Sequence, residues 1–382
     1  MKRYLIKVFL EHFAFGLTIS VSVVWMLNQG LTLPEIAIIE SLALALGLAI
    51  DIPTGFISDK FGRKLTLIGA NIFQAASFFV FAFSHDFWQF LIAAILLAIG
   101  FALSSGSEEA YIYENQSGDN YRKTFSNVNV VDEAATILGL LFAPLLIALF
   151  SLQSVFIAAS AFVFITAIVS WIILKDKGNM TVSKSQQKTR EKQQIVALVR
   201  KHAPLILLFI ALAIYYEAGR VFWQPQLIGS GFKIEQLGFL FAAFKVASLT
   251  GAYVGRHQRF SPKKEIVVIG VLVTVSFLLI ASSVWFLVIA GFFLYSFLEN
   301  VYRIVESNYL QGIASSQRRA SFLSAASFVR QGYSIVSVPF LSIAAIANVS
   351  YVFYILALLQ VVAAVLFWVL AARSRNAQLH GA

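Results

Sequence analysis

Residues 55–64 read Gly55-Phe56-Ile57-Ser58-Asp59-Lys60-Phe61-Gly62-Arg63-Lys64, and the reading of this stretch governs the rest of the chain. Four charged side chains and two glycines crowd into ten positions. On either side lie long apolar runs, at about 36–56 and 65–84. Asp51, Gly55 and Asp59 recur every four residues, so they share one face of a helix that emerges into the charged turn. Gly55 on that face lets a neighbouring helix approach closely. Asp59, at the helix end, is placed to pair with Arg63 or to meet the positive end of another helix.

The same alternation of apolar run and polar break extends through all 382 residues. The chain is 59% hydrophobic and 13% charged, with a mean hydropathy of +0.79, where soluble domains run nearer ~25% charged. That much apolar surface cannot be hidden in one water-soluble core. A membrane-spanning helix needs about 20 apolar residues, and twelve such spans are predicted at about 8–31, 36–56, 65–84, 88–113, 125–149, 152–174, 203–228, 234–255, 265–284, 286–312, 321–345 and 349–372. The expected class is an all-α integral membrane protein of twelve transmembrane helices, with no room for a sizeable soluble domain. Lys2, Arg3 and Lys7 precede the first run as they would in a signal peptide. That run is long, lacks a small-residue cleavage pattern and leads into a second span, so it reads as a retained helix. Cysteine is absent, which excludes disulfides, thiol nucleophiles and Cys-ligated metals.

A net charge of +10 and a pI near 9.7 would ordinarily suggest a nucleic-acid partner. Charge placement argues otherwise. Basic residues fall at the N-terminus (Lys2, Arg3, Lys7) and in alternate loops: Lys60, Arg63 and Lys64; Arg122 and Lys123; eight from Lys175 to Lys201; Arg256, Arg259, Lys263 and Lys264; Arg318 and Arg319; and the tail with Arg373 and Arg375. Together these are 24 of the 29 Lys and Arg. The positive-inside rule puts both termini and every even-numbered loop in the cytoplasm, with the protein in the cytoplasmic membrane. The stretch 175–202, rich in Lys, Gln, Ser and Thr, is a linker between residues 1–174 and 203–382, each holding six helices. Its end, from Ile195 to Lys201, reads either as a basic amphipathic helix on the membrane surface or as a tether.

An internal repeat supports this division. Gly100-Phe101-Ala102-Leu103-Ser104-Ser105-Gly106-Ser107-Glu108-Glu109-Ala110-Tyr111 sits opposite Gly291-Phe292-Phe293-Leu294-Tyr295-Ser296-Phe297-Leu298-Glu299-Asn300-Val301-Tyr302, with six of twelve positions identical at a spacing of 191 residues. Pro144 and Pro339 form a weaker echo. Two parallel six-helix repeats are the arrangement of transporters that rock two halves about a midplane site.

Residues 55–64 closely resemble the signature of the major facilitator superfamily, GxxxD(K/R)xGR(K/R), and stand at the family's position between helices 2 and 3. All five characteristic positions match. The resemblance covers the whole chain at the level of architecture and implies two pseudo-symmetric six-helix bundles working by alternating access. It further implies that Asp51, Gly55, Asp59, Gly62, Arg63 and Lys64 form a gating loop that latches the halves in one access state. The corresponding loop of the second half, Gly251-Ala252-Tyr253-Val254-Gly255-Arg256, has Gly255 where the acid should be, which places the working latch in the first half. Gly139-Leu140-Leu141-Phe142-Ala143-Pro144 is similar to a degraded GxxxGP pattern of the family's proton-coupled exporters. Those exporters usually carry an Arg in an RxxQG motif on helix 4. Helix 4 here has no basic residue, so their usual proton relay does not carry over.

Ionisable groups inside spans are costly, ~2.5–3.5 kcal/mol each at the bilayer centre on insertion scales, so a chain that retains many uses them. Glu108 and Glu109 lie on helix 4, Asp132 and Glu133 on helix 5, Glu217 and Arg220 on helix 7 and Lys245 on helix 8. Glu299, Arg303 and Glu306 lie on helix 10 and Arg330 on helix 11. The resemblance makes helices 1, 4, 7 and 10 the cavity-lining set. Glu299, Arg303 and Glu306 form one stripe, and Glu217 with Arg220 sit at i, i+3, so each of these Arg has an acid within reach on its own helix, an arrangement that also serves structural pairing. Glu108 has no base within a turn and a like charge beside it. Glu108 or Glu109 is therefore the group expected to load and release a proton, and the repeat partner Glu299 favours Glu108. Tyr111, Tyr302 and other aromatics among these charges suit a lipophilic cation, although most of the aromatic residues simply fill helix interfaces. Glu11-His12 reads as a lone pair near a helix end.

The expected function is a proton-coupled secondary transporter, with H+ antiport exporting a small amphipathic or cationic compound as the preferred mode. Two alternatives stand beside it: an H+ symporter importing an anionic or polar metabolite, and a non-transporting receptor on the same fold. No enzyme activity, cofactor or metal is expected. The expected partners are a small-molecule substrate, protons and the lipid bilayer, with no nucleic acid and a monomeric chain.

Overall fold

The protein is described by a computed structural model covering residues 2–115, 119–175, 221–255, 262–313 and 319–379. Among these the regular elements are all helices: α1 Lys2–Ile19, α2 Ser22–Asn28, α3 Leu33–Phe61, α4 Arg63–Ala82, α5 Phe87–Asn115, α6 Asp119–Leu149, α7 Leu152–Ile173, α8 Ile234–Gly255, α9 Pro262–Ile280, α10 Trp285–Ile313, α11 Arg319–Ala347 and α12 Ser350–Leu379. Residues 221–229 are also helical and correspond to the end of the seventh expected span, whose earlier part lies outside the described residues. Every other expected span coincides with one of these helices. The first is broken, with α1 and α2 meeting at 45°.

Among the described residues, eight helices are long and apolar enough to cross a membrane, or nine with the bent α1–α2 pair. Their outer faces carry large exposed apolar side chains such as Phe150, Ile172, Phe340 and Ile346. Apolar surface on that scale is stable only against lipid.

Local chemistry sets the helix ends. Thr32 and Glu35 form a capping box at the start of α3, with Thr32 N and Oγ1 donating to Glu35 Oε2 at 2.8 and 2.7 Å. Between α3 and α4 the chain turns at Gly62 with φ +84°, a conformation that favours glycine. Glycine at this position of the ten-residue signature is thus a backbone requirement.

The chain divides into two compact units, Met1–Ser183 with Phe232–Ala242, and Lys184–Gly231 with Ala243–Ala382. The linker from residue 176 onward lies outside the described residues. In the first unit α4 packs on α5 and α7, α1 on α6 and α7, and α3 on α5. The α1–α6 crossing is a glycine contact: a Cβ on Gly139 would lie 2.3 Å from the Phe13 carbonyl oxygen, and one on Gly16 2.3 Å from that of Thr136. In the second unit α9 packs on α10 and α12.

The repeat seen in sequence has a packing counterpart. Gly100 presses α5 against Ala70 and Gln74 of α4, and Gly291 presses α10 against Ser276 and Ile280 of α9. Tyr111 and Tyr302 are both buried. The repeat decays at Phe101, which is exposed, while Phe292 is buried. Gly251 and Gly255, expected in a loop, lie in the last turns of α8, where they bring the helix against Phe297 and Val301 of α10. A side chain at Gly255 would crowd Val301 and Ile304, so the packing accounts for the missing acid.

Candidate functional site

The site begins on α1. Lys7 and Glu11 stand at i and i+4, the spacing that lets helical side chains meet, and their charged ends lie 2.6 Å apart. The Lys7 ammonium also binds Glu108 Oε1 of α5. Lys7 is completely buried and Glu11 nearly so, whereas the Glu108 side chain keeps 28% of its exposure. Tyr4 Oη donates to Glu108 Oε1 at 3.3 Å, and the Tyr4 ring stacks on Tyr111 at 5.4 Å. Leu67, Ile112 and Leu174 pack around the two tyrosines and exclude water from this side of the ion pair. On α4, Asn71 donates to Gln74 at 3.2 Å and accepts from Ser170 of α7 at 3.4 Å.

One residue beyond Glu11, His12 Nδ1 meets Asp132 Oδ1 of α6 at 2.6 Å, and Thr136 Oγ1 donates to Asp132 at 3.4 Å. Three carboxyl groups (Glu11, Glu108, Asp132) thus gather with one lysine and one histidine where α1 meets α5 and α6. Glu133 is half-buried on α6, and Glu109 is exposed on α5. Glu108, the member of the pair singled out in the sequence, is the one that enters the cluster.

Sequence reasoning missed three members. Lys7 was counted among the flanking positive charges, yet it is inside the fold. Glu11 and His12 read as a lone pair near a helix end, yet both are partnered. The Lys7–Glu11 spacing within an apolar helix was the available signal. Glu108 has no base within a turn of its own helix, but α1 supplies the base that α5 lacks.

The second unit holds a separate arrangement. Glu306 of α10 is buried and pairs across to Arg330 of α11 at 3.6 Å. Arg303 is exposed and donates to Asn300 Oδ1, while Asn300 Nδ2 donates to Ser248 Oγ of α8 at 2.6 Å. The expected acid-base stripe down α10 is therefore tied to α8 and α11 as well. Glu299 is half-buried, Tyr302 is buried, and Lys245 is half-buried on α8. Glu217 and Arg220 lie outside the described residues.

In the charged turn, Arg63 Nε meets Glu114 Oε1 of α5 at 3.1 Å, and Arg63 NH1 donates to Ser58 Oγ at 2.7 Å. Ser107 of α5 donates to the same Ser58 hydroxyl at 2.8 Å. The guanidinium thus ties the α3–α4 turn to α5. Lys64 lies 5.2 Å from the Trp171 ring of α7, and Asp51 is exposed. The Asp59 side chain lies outside the described residues.

The family model for the Major Facilitator Superfamily matches residues 5–257. The chain belongs to the major facilitator superfamily. Membership makes it a multi-pass membrane protein of a transporter family. Among curated proteins it is similar to an uncharacterized MFS-type transporter, YxaM, of Bacillus subtilis strain 168, at 19% identity over 61% of this chain and 60% of that protein. Among solved structures it resembles the nucleoside transporter NupG, with a TM-score of 0.81 at 15% identity over 96% of this chain and 98% of that one. It also resembles a bacterial homologue of the human lysosomal transporter Spinster in an inward-facing, unoccupied conformation, with a TM-score of 0.72 at 12% identity over 96% of each chain. These likenesses establish the major facilitator fold.

Proposed function

We infer that this major facilitator is a proton-coupled antiporter that exports a small amphipathic or cationic compound by alternating access between two six-helix bundles, residues 1–174 and 203–382. It works in the cytoplasmic membrane as a monomer with both termini in the cytoplasm. The reading rests on one observation, the surplus of acids over bases where α1, α5 and α6 meet. Lys7 offers one positive charge to two carboxylates. With both ionised, the trio has one uncompensated negative charge in a setting of low dielectric, which attracts either a proton or an organic cation. Two cations that satisfy the same charge exclude one another, and mutually exclusive loading is the condition for antiport. Glu108, partly exposed, is the coupling carboxyl, with Tyr111 and Tyr302 in the set proposed to line the cavity. Glu109, Asp132, Glu133, Glu217, Arg220, Glu299, Arg303, Glu306 and Arg330 complete the set from which the cavity is built.

The test uses purified protein in liposomes with an imposed pH gradient, with ethidium and tetraphenylphosphonium as probes. Cation movement against its own gradient with release of protons is expected, and it stops when nigericin collapses the pH gradient. Absence of proton-linked flux for every cation in such a panel overturns the reading. Proton-linked uptake of organic acids or sugars by the same liposomes would establish symport in its place.

A further inference from the structure

The two carboxyl groups on Lys7 are not equivalent. Glu11 shares a helix with Lys7 at i, i+4 and is almost fully buried. Glu108 comes from another helix, and its side chain keeps 28% of its exposure. A proton can therefore reach Glu108 while Glu11 stays behind Lys7. The other groups around the ammonium are Tyr4, which donates to Glu108, Tyr111 stacked on Tyr4, and the His12–Asp132 pair on the next turn of α1 and on α6. Helix α7 carries no charged side chain, and Arg63 at the start of α4 is engaged by Glu114. Lys7 is thus the fixed cation that meets both carboxyls.

We propose that Lys7 is the positioning residue of proton coupling, a counter-ion shared between Glu11 and Glu108 that is released wholly to Glu11 when Glu108 takes up a proton. Loading then weakens a direct α1–α5 tie, and unloading restores it. Competition between the ammonium and the proton for Glu108 sets the pH at which the site empties. The inference rests on Glu108 as the coupling carboxyl and names the group that tunes it.

The experiment reads protons directly and needs no substrate. Infrared difference spectra between acid and alkaline pH are recorded on the full chain in liposomes, following the carbonyl stretch of protonated carboxyl groups in the wild type and in Glu108→Gln, Lys7→Met and Glu11→Gln. Wild type is expected to show a titrating band that Glu108→Gln removes. Lys7→Met, which deprives Glu108 of its cation, is expected to move the band's midpoint to higher pH by about one unit, tenfold in proton affinity. Glu11→Gln, which leaves Lys7 to Glu108 alone, is expected to move it to lower pH. A Lys7 that does not act on Glu108 leaves the midpoint unmoved in Lys7→Met. A band that persists in Glu108→Gln overturns the coupling carboxyl and the inference with it. A band lost in Glu108→Gln but unmoved, or moved the same way in both other variants, overturns the role of Lys7 and leaves the coupling carboxyl standing. Should Lys7→Met fail to fold, the double variant Lys7→Met, Glu11→Gln, which removes the buried pair together, is compared with Glu11→Gln, and a midpoint no higher in the double variant overturns the role of Lys7.

Discussion

Lys7 and Glu108 stand 101 residues apart in the chain and meet as an ion pair between α1 and α5, with the ammonium completely buried. Removing a buried charge from such a set leaves its partners uncompensated, at a cost of ~3–5 kcal/mol. Lys7→Met is therefore expected to lower the unfolding temperature markedly in detergent. The triple variant Lys7→Met, Glu11→Gln, Glu108→Gln, with no charge left to compensate, is expected to recover most of the loss. Equal melting of the triple and single variants would show that packing, not charge, governs this contact.

Glu108→Gln is expected to behave differently. The amide oxygen still accepts from Tyr4, and Lys7 keeps the charge of Glu11, so the fold is retained. The group can no longer exchange a proton, so the pH dependence of transport is lost. Ethidium flux at several imposed pH gradients is the measurement, and an unchanged pH profile in the folded variant contradicts the role of Glu108.

The glycine crossing of α1 and α6 gives a prediction about assembly. Gly139→Leu drives a side chain into the Phe13 carbonyl, whereas a Cβ on Gly69 meets nothing within 4 Å. Gly139→Leu is expected to abolish the monodisperse peak in fluorescence-detected size-exclusion chromatography, and Gly69→Ala is expected to preserve it.

At the charged turn, Gly62→Ala places a side chain at φ +84° and is expected to cost about 1–3 kcal/mol. Arg63→Ala removes the bonds to Glu114 and Ser58, and hydrogen bonds to charged groups contribute ~1.5–3 kcal/mol each. Both variants are expected to melt earlier than wild type. Glu114→Gln, which keeps an acceptor for Arg63, is expected to lose less than Arg63→Ala. The reverse order in thermal unfolding would mean that Glu114 holds the turn in another way.

Much of the fold was legible because its signals are local. A helix that crosses lipid must be continuously apolar, so the runs at 36–56 and 152–174 announced α3 and α7 directly. Gly62 and Arg63 stood out as members of the ten-residue signature, and the structure supplies the physical reason for Gly62, a turn between two helices at φ +84°. The repeat pairs Gly100 with Gly291, and the structure supplies a reason, since each stands where its helix approaches a neighbour closely.

The candidate site was only half legible. Glu108 and Asp132 stood out as acids in apolar helices. Lys7, Glu11 and His12 did not, because a charge near a helix end looks the same whether it meets solvent or a partner. The stripe of Glu299, Arg303 and Glu306 was read along one helix, yet Glu306 pairs with Arg330 of α11 and Arg303 with an asparagine anchored to α8.

Hydropathy, charge placement and one ten-residue motif by themselves determined that this chain is a multi-pass membrane protein of the major facilitator type, because each depends on a residue's neighbours in sequence. The partners of its charges were decided only by tertiary structure. Lys7 is joined to Glu108 because glycine contacts and the packing of α1 against α5 and α6 bring distant segments together. No periodicity along a single helix records which face of another helix will lie opposite.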